Sequence, residues 1–406
     1  MAQIIATQCC IAGGGPAGMM LGFLLARAGV DVVVLEKHAD FLRDFRGDTI
    51  HPSTLELMHE LGLLEAFLKL PHSAAPTVSG RYGDLELTIA DFRYLPTRCK
   101  YIAMMPQWDF LNFLAERGRR YRGFHLLMNA EATDLIEQGG RICGVRANTP
   151  DGELEVQAPL VVGCDGRHST VREKAGLAVK TLGAPMDVLW FRVSRPAGDP
   201  EETMGLFLPG RILVMIERGT YWQCAYVIPK GSIENVRRQG IESFRTAVER
   251  AVPFFKGRMR EIKDWNQVKL LTVAVDRLPL WHRAGLLCIG DAAHAMSPIG
   301  GVGINLAVQD AVAAANILAE PLRAGSVDDV LLQQVQDRRA FPARVTQRVQ
   351  VFLQNNVIRT VLAQSKLKPP LLLRLMQHFP ILRRIPARVL GLGVRPEHIG
   401  TVERSG

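Results

Sequence analysis

Ile11-Ala12-Gly13-Gly14-Gly15-Pro16-Ala17-Gly18, entered through Cys9-Cys10 and followed by Val32-Val33-Val34-Leu35-Glu36, decides the fold. An apolar strand, a tight glycine turn, a helix and a second apolar strand ending on an acid form a unit suited to a dinucleotide pyrophosphate. Gly13 permits the turn, Gly15 leaves room for backbone beside the phosphates, and Gly18 lets the helix lie close to the sheet. Pro16 and Ala17 open the helix, whose first N–H groups are free to meet anionic oxygen. Glu36, 18 residues past Gly18, can accept bonds from a ribose diol, with Lys37 beside it. Taken singly, these residues would also suit an ordinary βα turn with a solvent-facing Glu. The complete unit points to a nucleotide cofactor, either NAD or FAD.

A chain of 406 residues that is 48% hydrophobic can bury a large core, more naturally as two domains than one. No stretch has the uninterrupted apolar length of a membrane span, and no basic segment precedes the first apolar run. Seven cysteines, mostly in apolar strand-like contexts, show no ligand spacing. They predict reduced core thiols in a cytoplasmic compartment, without structural zinc. The formal charge of +9 favours anionic ligands or surfaces, yet no nucleic-acid module accompanies it. Part of that excess is local: beyond Lys366 come Lys368, Arg374, Arg383, Arg384, Arg388, Arg395 and Arg404 against Glu397 and Glu403.

Along the chain, Pro52-Ser53-Thr54 opens a helix that Ser53 can cap, and Gln107 to about Arg120 has helical spacing. Residues 76–97 alternate in strand fashion through Leu85, Leu87 and Ile89, and hairpins turn at Gly139-Gly140 and Asp151-Gly152. Leu160-Val161-Val162 is a second buried strand. Residues 186–193, 203–208, 211–217 and 222–228 read as strands of a separate substrate-bearing sheet, and a helix from Ser243 to Ala251 and a strand from Val268 to Val275 lead back to the nucleotide domain. Helices then cover Ile304–Leu322 and Leu331–Phe352, the latter kinked or broken at Pro342. These elements predict an α/β fold with a Rossmann-like nucleotide domain, an inserted β-sheet substrate domain and a helical C-terminal region. The boundaries are 1–75, 98–180 and 276–365 for the first domain and 76–97 and 181–275 for the second. The basic amphipathic tail, 366–406, is expected to pack on the first domain, and it also suits weak contact with a membrane surface.

A third stretch chooses between NAD and FAD. In Cys288-Ile289-Gly290-Asp291-Ala292-Ala293-His294 a short strand ends at an acid, and Pro298-Ile299-Gly300-Gly301-Val302-Gly303-Ile304-Asn305 then leads into a long apolar helix. Such a segment can bring Asp291 to ribityl hydroxyls and backbone N–H groups, from Gly301 to Asn305, to a flat heterocycle. The helix start near Gly303 points its positive end at the pyrimidine edge, where reduced flavin holds negative charge.

With these motifs in order, the chain resembles the aromatic-hydroxylase group of FAD-dependent monooxygenases, the family of para-hydroxybenzoate hydroxylase. Gly13, Gly15, Gly18 and Glu36 match the family's first motif. Gly163-Cys164-Asp165-Gly166 through Arg172 matches the second, and Gly290-Asp291 the third. The resemblance implies that Asp165 lies near the FAD phosphates and the approach of the nicotinamide nucleotide. It implies that Arg46 reaches the phosphate region and the site entrance, and that Gln107 lies by the ribityl chain or pyrophosphate. Pro298 is expected beside the place where dioxygen reacts. The same side chains could also cap helices and satisfy turns. Arg167 and Arg172 have forks that suit carboxylate or phosphate, and His294 suits a packed histidine bonded to backbone as well as proton transfer.

The resemblance implies an NAD(P)H-dependent hydroxylase of a phenolic or related aromatic substrate, working through a flavin C4a-hydroperoxide. NADPH or NADH would dock transiently, since the chain holds one nucleotide fingerprint. Dioxygen and a small aromatic substrate are the expected partners, and a homodimer suits the family. His51, His59 and His72 lack supporting ligand spacing, so no metal is expected. An FAD-dependent reductase or dehydrogenase of a lipophilic isoprenoid or polycyclic substrate is the alternative, and a non-catalytic flavin-binding sensor a second. Arg192, Arg211, Met215, Tyr221, Trp222 and Tyr226 are candidates for the substrate pocket, but strand alternation alone does not say which face points inward.

Overall fold

Strands buried on both faces need apolar residues at every position, whereas half-exposed strands alternate. Both kinds are present in a computed structural model of the chain, which describes residues 3–42, 49–200, 203–364 and 366–404. The continuous apolar runs Cys9–Ala12, Val32–Glu36 and Leu160–Gly163 are buried throughout and pair in parallel. They form the centre of a six-stranded sheet completed by Phe124–Met128 on one side and Leu286–Cys288 with His282–Arg283 on the other. Successive side chains go to opposite layers. Cys9, Ile11, Val32 and Val34 pack under the helices Pro16–Arg27, Gln107–Gly118 and Gly303–Ala324. Cys10, Ala12, Val33 and Leu35 pack against a four-stranded sheet built from Gln3–Ala6, Glu131–Gln138, Arg141–Thr149 and Gly152–Gln157. All seven cysteines are free thiols.

A seven-stranded sheet runs in the order Lys269–Leu271, Met186–Ser194, Tyr221–Pro229, Arg211–Glu217, Met204–Leu208, Thr77–Tyr82, Leu85–Asp91. One face lies under the helix Ile241–Ala251 through Phe191, Met215, Trp222 and Cys224. The other face carries Val188, Trp190, Val214 and Val227 toward the nucleotide half, where Ile299 joins them.

Four local expectations change. The strand foreseen from Val268 to Val275 stops at Leu271. The buried Asp187 carboxylate accepts from the Val273 N–H at 3.0 Å, while Lys230 bonds both Asp187 and the Val273 carbonyl, so this backbone is satisfied by side chains instead of a ladder. The helix over Pro342 runs unbroken from Asp329 to Leu353, capped by Asp328, because one missing N–H inside a long packed helix need not end it. The helix at Pro52 begins with proline at its first position and His51 as its cap, and Ser53 is buried in the first turn. Finally, the tail helices Leu371–His378 and Arg384–Gly391 lie along Leu85–Asp91, covering the edge of the seven-stranded sheet. The tail meets the nucleotide half as well: His51 bonds the Leu390 carbonyl, Arg339 reaches Glu397, Asn316 bonds the His398 carbonyl and the Arg404 N–H bonds the Arg27 carbonyl. Among the described residues one helix, Ile299–Ala324, is long and apolar enough to cross a membrane by length and composition, but 78% of its apolar window is buried inside the molecule.

Candidate active site

Packing brings the three glycine-bearing segments together. Gly13 has φ +106, and a Cβ there would collide with the Cys164 carbonyl and Asp165 nitrogen, so the first turn rests directly on the second segment. A Cβ on Gly18 would strike the Gly13 carbonyl, which is the close helix approach expected of that position. Gly290 lies against Ala17 and Ala307, locking the third segment to the start of the first helix. Gly15 differs from all of these: nothing lies within 4 Å of a Cβ built on it. The helix it precedes has no side-chain cap, so the Ala17 and Gly18 N–H groups of its first turn take no bond from a capping side chain.

Glu36 is 9% exposed and held by two backbone donors, Gly14 N–H to Oε2 at 3.0 Å and His38 N–H to Oε1 at 3.1 Å. Its carboxylate therefore stands fixed at the turn. Lys37 points away, to Glu131 at 3.9 Å on the surface. In the second segment Asp165 accepts from the Val171 N–H at 3.1 Å through Oδ2, whereas its Oδ1 is buried without a partner. Burial raises its pKa against the lowering pull of bonds from Ser169 and Val171. Arg172 is a buried strut, donating to the Ala292 carbonyl at 3.1 Å and the Arg167 carbonyl at 2.7 Å. Arg167 lies 3.7 Å from Asp291, and both are partly exposed.

Around the glycine run, Thr49 Oγ1 donates to the Gly301 carbonyl at 2.8 Å, and Gly300 touches Leu390 of the tail. Gly303 faces open space at the uncapped start of the 22-residue helix. Val302 and Ile304 are buried behind it. The Asn305 side chain is committed elsewhere: its Oδ1 accepts from the His51 N–H at 3.0 Å and Thr54 Oγ1 at 2.7 Å, leaving its backbone to a ligand. Pro298 caps the turn Ile299–Gly301. Its loop hangs from three buried amides on one helix face: Gln347 donates to the Asp276 and Ala295 carbonyls, Gln350 to those of Ser297 and Ile299, and Gln354 to Ser297 Oγ. Their spacing of three and four was legible in the sequence as a polar stripe on one helix face. Gln107 starts its helix, half-buried. Arg46 lies outside the described residues.

His51 joins this loop to the tail through Nδ1 and the Leu390 carbonyl at 2.6 Å. Burial pushes its imidazole down to about 4, against the raising pull of backbone contacts with Leu390 and Gly301. A histidine that stays neutral when folded contributes stability above its unfolded value, near 6.5, and loses it as the pH falls toward 4. Between pH 7.5 and pH 5 the stability advantage of wild type over His51→Gln is expected to shrink by about 2 kcal/mol. Urea denaturation of both proteins at the two pH values checks this; an unchanged difference refutes it.

His294 bonds a carboxylate, not backbone. Its Nε2 meets Asp310 Oδ2 at 2.5 Å, and the same oxygen accepts from the Gly290 N–H at 3.1 Å. Asp310 Oδ1 accepts from Arg339 at 2.9 Å, and Arg339 reaches Glu397 at 3.2 Å, so a buried charge chain ties the third motif to the tail. Burial would lower His294, but the Asp310 charge and bond outweigh it and the net shift is upward; Asp310 is correspondingly lowered. Asp310 and Arg339 were missed in the sequence because each stands alone in an apolar helical stripe.

The sheet face now sorts the substrate candidates. Met215, Trp222 and Tyr226 pack outward around Phe244 and its neighbours, away from the loop. Arg211 borders an open depression with Glu242 and Arg250. Arg192 and Tyr221 stack on each other at 5.1 Å. Trp190 and Val214, which sequence reading did not single out, occupy the face that meets Ile299 and Leu390.

An open cradle at Gly15, the uncapped N–H groups beyond it, a fixed carboxylate at Glu36 and the orphaned Asp165 Oδ1 fit an adenine dinucleotide, and the second open helix start at Gly303 fits a flavin ring. Comparison with known proteins agrees. The family described as FAD binding domain matches residues 6–349. The chain is 32% identical over 386 residues to a 6-methylpretetramide 4-monooxygenase of Streptomyces rimosus, spanning 93% of this chain and 92% of the relative. Among solved structures, the anhydrotetracycline hydroxylase OxyS from Streptomyces rimosus superposes with TM-score 0.73 at 24% identity, covering 97% of this chain and 77% of that one. PqsL of P. aeruginosa, in complex with 2-aminobenzoylacetate, does so with TM-score 0.75 at 20% identity, covering 88% and 98%. A family match over most of the chain and end-to-end likeness to a monooxygenase join the same three motifs, so the chain belongs to the FAD binding domain family, as an FAD-dependent monooxygenase.

Proposed function

We propose that this monooxygenase hydroxylates a phenolic or related enolisable aromatic ring, drawing electrons from NADPH or NADH. The observation that carries the reading is the meeting of the sheet face bearing Trp190 and Val214 with Ile299, one residue past Pro298. It gives a flat substrate an apolar wall beside the loop expected at the flavin's reactive edge. Likeness to the 6-methylpretetramide 4-monooxygenase supports an aromatic substrate.

In this reading Ala17 and Gly18 donate N–H groups to the pyrophosphate, Glu36 accepts from the adenosine ribose, Asp291 accepts from ribityl hydroxyls, and Asp165 lies beside the phosphate segment. Bound FAD supplies hydride acceptance from the nicotinamide and delivery of one atom of dioxygen to the ring. The positive end of the Gly303 helix favours negative charge on its pyrimidine side. Gln350 and Gln354 hold the Pro298 loop in register, and the wall of Trp190, Val214 and Ile299 excludes water from the substrate side. No side chain is assigned as the ring's acid or base.

The test is substrate-dependent oxidation of NADPH and NADH over a panel of phenols under isotopically labelled dioxygen. One labelled oxygen atom in the product is expected. Turnover of nicotinamide with a reduced or dehydrogenated product free of label would instead make the chain a reductase or dehydrogenase.

A further inference from the structure

Between residues 366 and 396 the chain carries seven Lys and Arg and no Asp or Glu. The two helices in this stretch already have one buried face: both pack along the edge strand, where Met376 and Ala387 are buried, and Gly391 lies against Phe92 and Leu95 just beyond it. An ordinary surface helix would then turn polar residues outward. Here Leu371, Leu372, Phe379, Ile381 and Ile385 point to solvent, each more than half exposed. Lys366, Lys368, Arg374 and Arg388 stand exposed around them and form no ion pair among the described residues. The face continues onto the neighbouring helix, where Phe352 is 63% exposed. Val349 and Val389 join the two parts, since both are exposed and both line a cavity of about 70 Å³ that reaches Ile299 and Val302.

We propose that this face docks on the surface of an anionic lipid bilayer. Apolar side chains ringed by unpaired cations, with no acid in the segment, match the acyl boundary and the anionic headgroups at once. A second copy fits poorly, because a two-fold contact sets the same patch against itself and brings Lys366, Lys368, Arg374 and Arg388 onto their own copies. Docked this way, the cavity rim at Val349 and Val389 faces lipid. The inference concerns binding alone and does not depend on the reaction proposed above.

The full chain with FAD bound is floated with vesicles of phosphatidylcholine alone and of phosphatidylcholine with about one-third phosphatidylglycerol. It should float with the anionic vesicles and stay behind with the neutral ones, and raising the salt about tenfold should weaken the binding strongly. Phe379→Ser/Ile385→Ser should lower vesicle affinity by about tenfold or more through lost apolar burial. Lys366→Glu/Lys368→Glu/Arg374→Glu/Arg388→Glu should abolish it. All these side chains are exposed, so both variants should keep their FAD and their far-ultraviolet circular dichroism, which are measured alongside. Absence of wild-type binding to anionic vesicles overturns the proposal. So does a concentration-dependent dimer in sedimentation that the Phe379→Ser/Ile385→Ser variant dissolves while vesicle binding is unaffected.

Discussion

Gly15→Val is expected to leave the chain folded and to cost it FAD. At Gly15 the backbone is ordinary extended chain, φ −76 and ψ −174, which a β-branched residue adopts without strain, and no atom lies within 4 Å of the new Cβ. With FAD stripped from both proteins, the variant should therefore match wild type within about 0.5 kcal/mol in urea denaturation. The methyl groups would stand where the pyrophosphate meets the Ala17 and Gly18 N–H groups. Overpacking of that size costs about 1–3 kcal/mol, so FAD affinity should fall by roughly 10- to 100-fold in a fluorescence titration. Gly13→Ala is the contrasting case: with φ +106 and the Cys164 carbonyl in the way, it should fail in folding before cofactor affinity can be asked. A Gly15→Val protein that binds FAD as tightly as wild type would show that the open space is not the place of the phosphates.

Asp310→Leu should destabilise the protein by about 3–5 kcal/mol, because it leaves His294 without its carboxylate and takes from Arg339 one of its two buried carboxylates, in a site almost closed to solvent. Arg339→Met should cost a comparable amount. The double variant should cost clearly less than the sum, since both single variants break the same Arg339–Asp310 contact and its loss is counted twice in the sum. Urea denaturation of the three proteins gives the comparison, and strict additivity would refute the coupling. The pH dependence has a definite sign. His294 holds its proton more tightly folded than unfolded, so its contribution is complete below about pH 6.5 and is lost as the pH rises through its raised value. Asp310 is lowered, so its contribution holds above about pH 3.9 and is lost as the pH falls through that lowered value. Since Asp310 also accepts from the Gly290 N–H, Asp310→Leu should loosen the Asp291 turn and weaken FAD binding.

The glycine turn, the order of the three motifs, the doubly buried strands and the alternating strands of the second sheet could all be read from spacing. Each rests on local sterics or on the two- and 3.6-residue periods of strand and helix, which a short window of residues contains. The same local logic failed where a distant side chain took over. Asp187 claimed the Val273 N–H and ended a strand 86 residues away. The Asn305 side chain was taken up by His51 and Thr54, a partnership that no short window shows, while its backbone stays at the start of the glycine-led helix.

By itself, then, the order of residues determined the cofactor class and the layers of the fold, since glycine conformation and apolar periodicity act over a few positions. Only the tertiary structure decided that Gly13 leans on Cys164, that Trp190 and not Trp222 faces the loop, that Asp310 and Arg339 pair across two helices, and that the tail covers a sheet edge. Those outcomes depend on which surfaces meet after the chain has folded back over tens to hundreds of residues. Burial makes each unpaired charge or unfilled gap costly, and so selects one partner among many that the sequence leaves open.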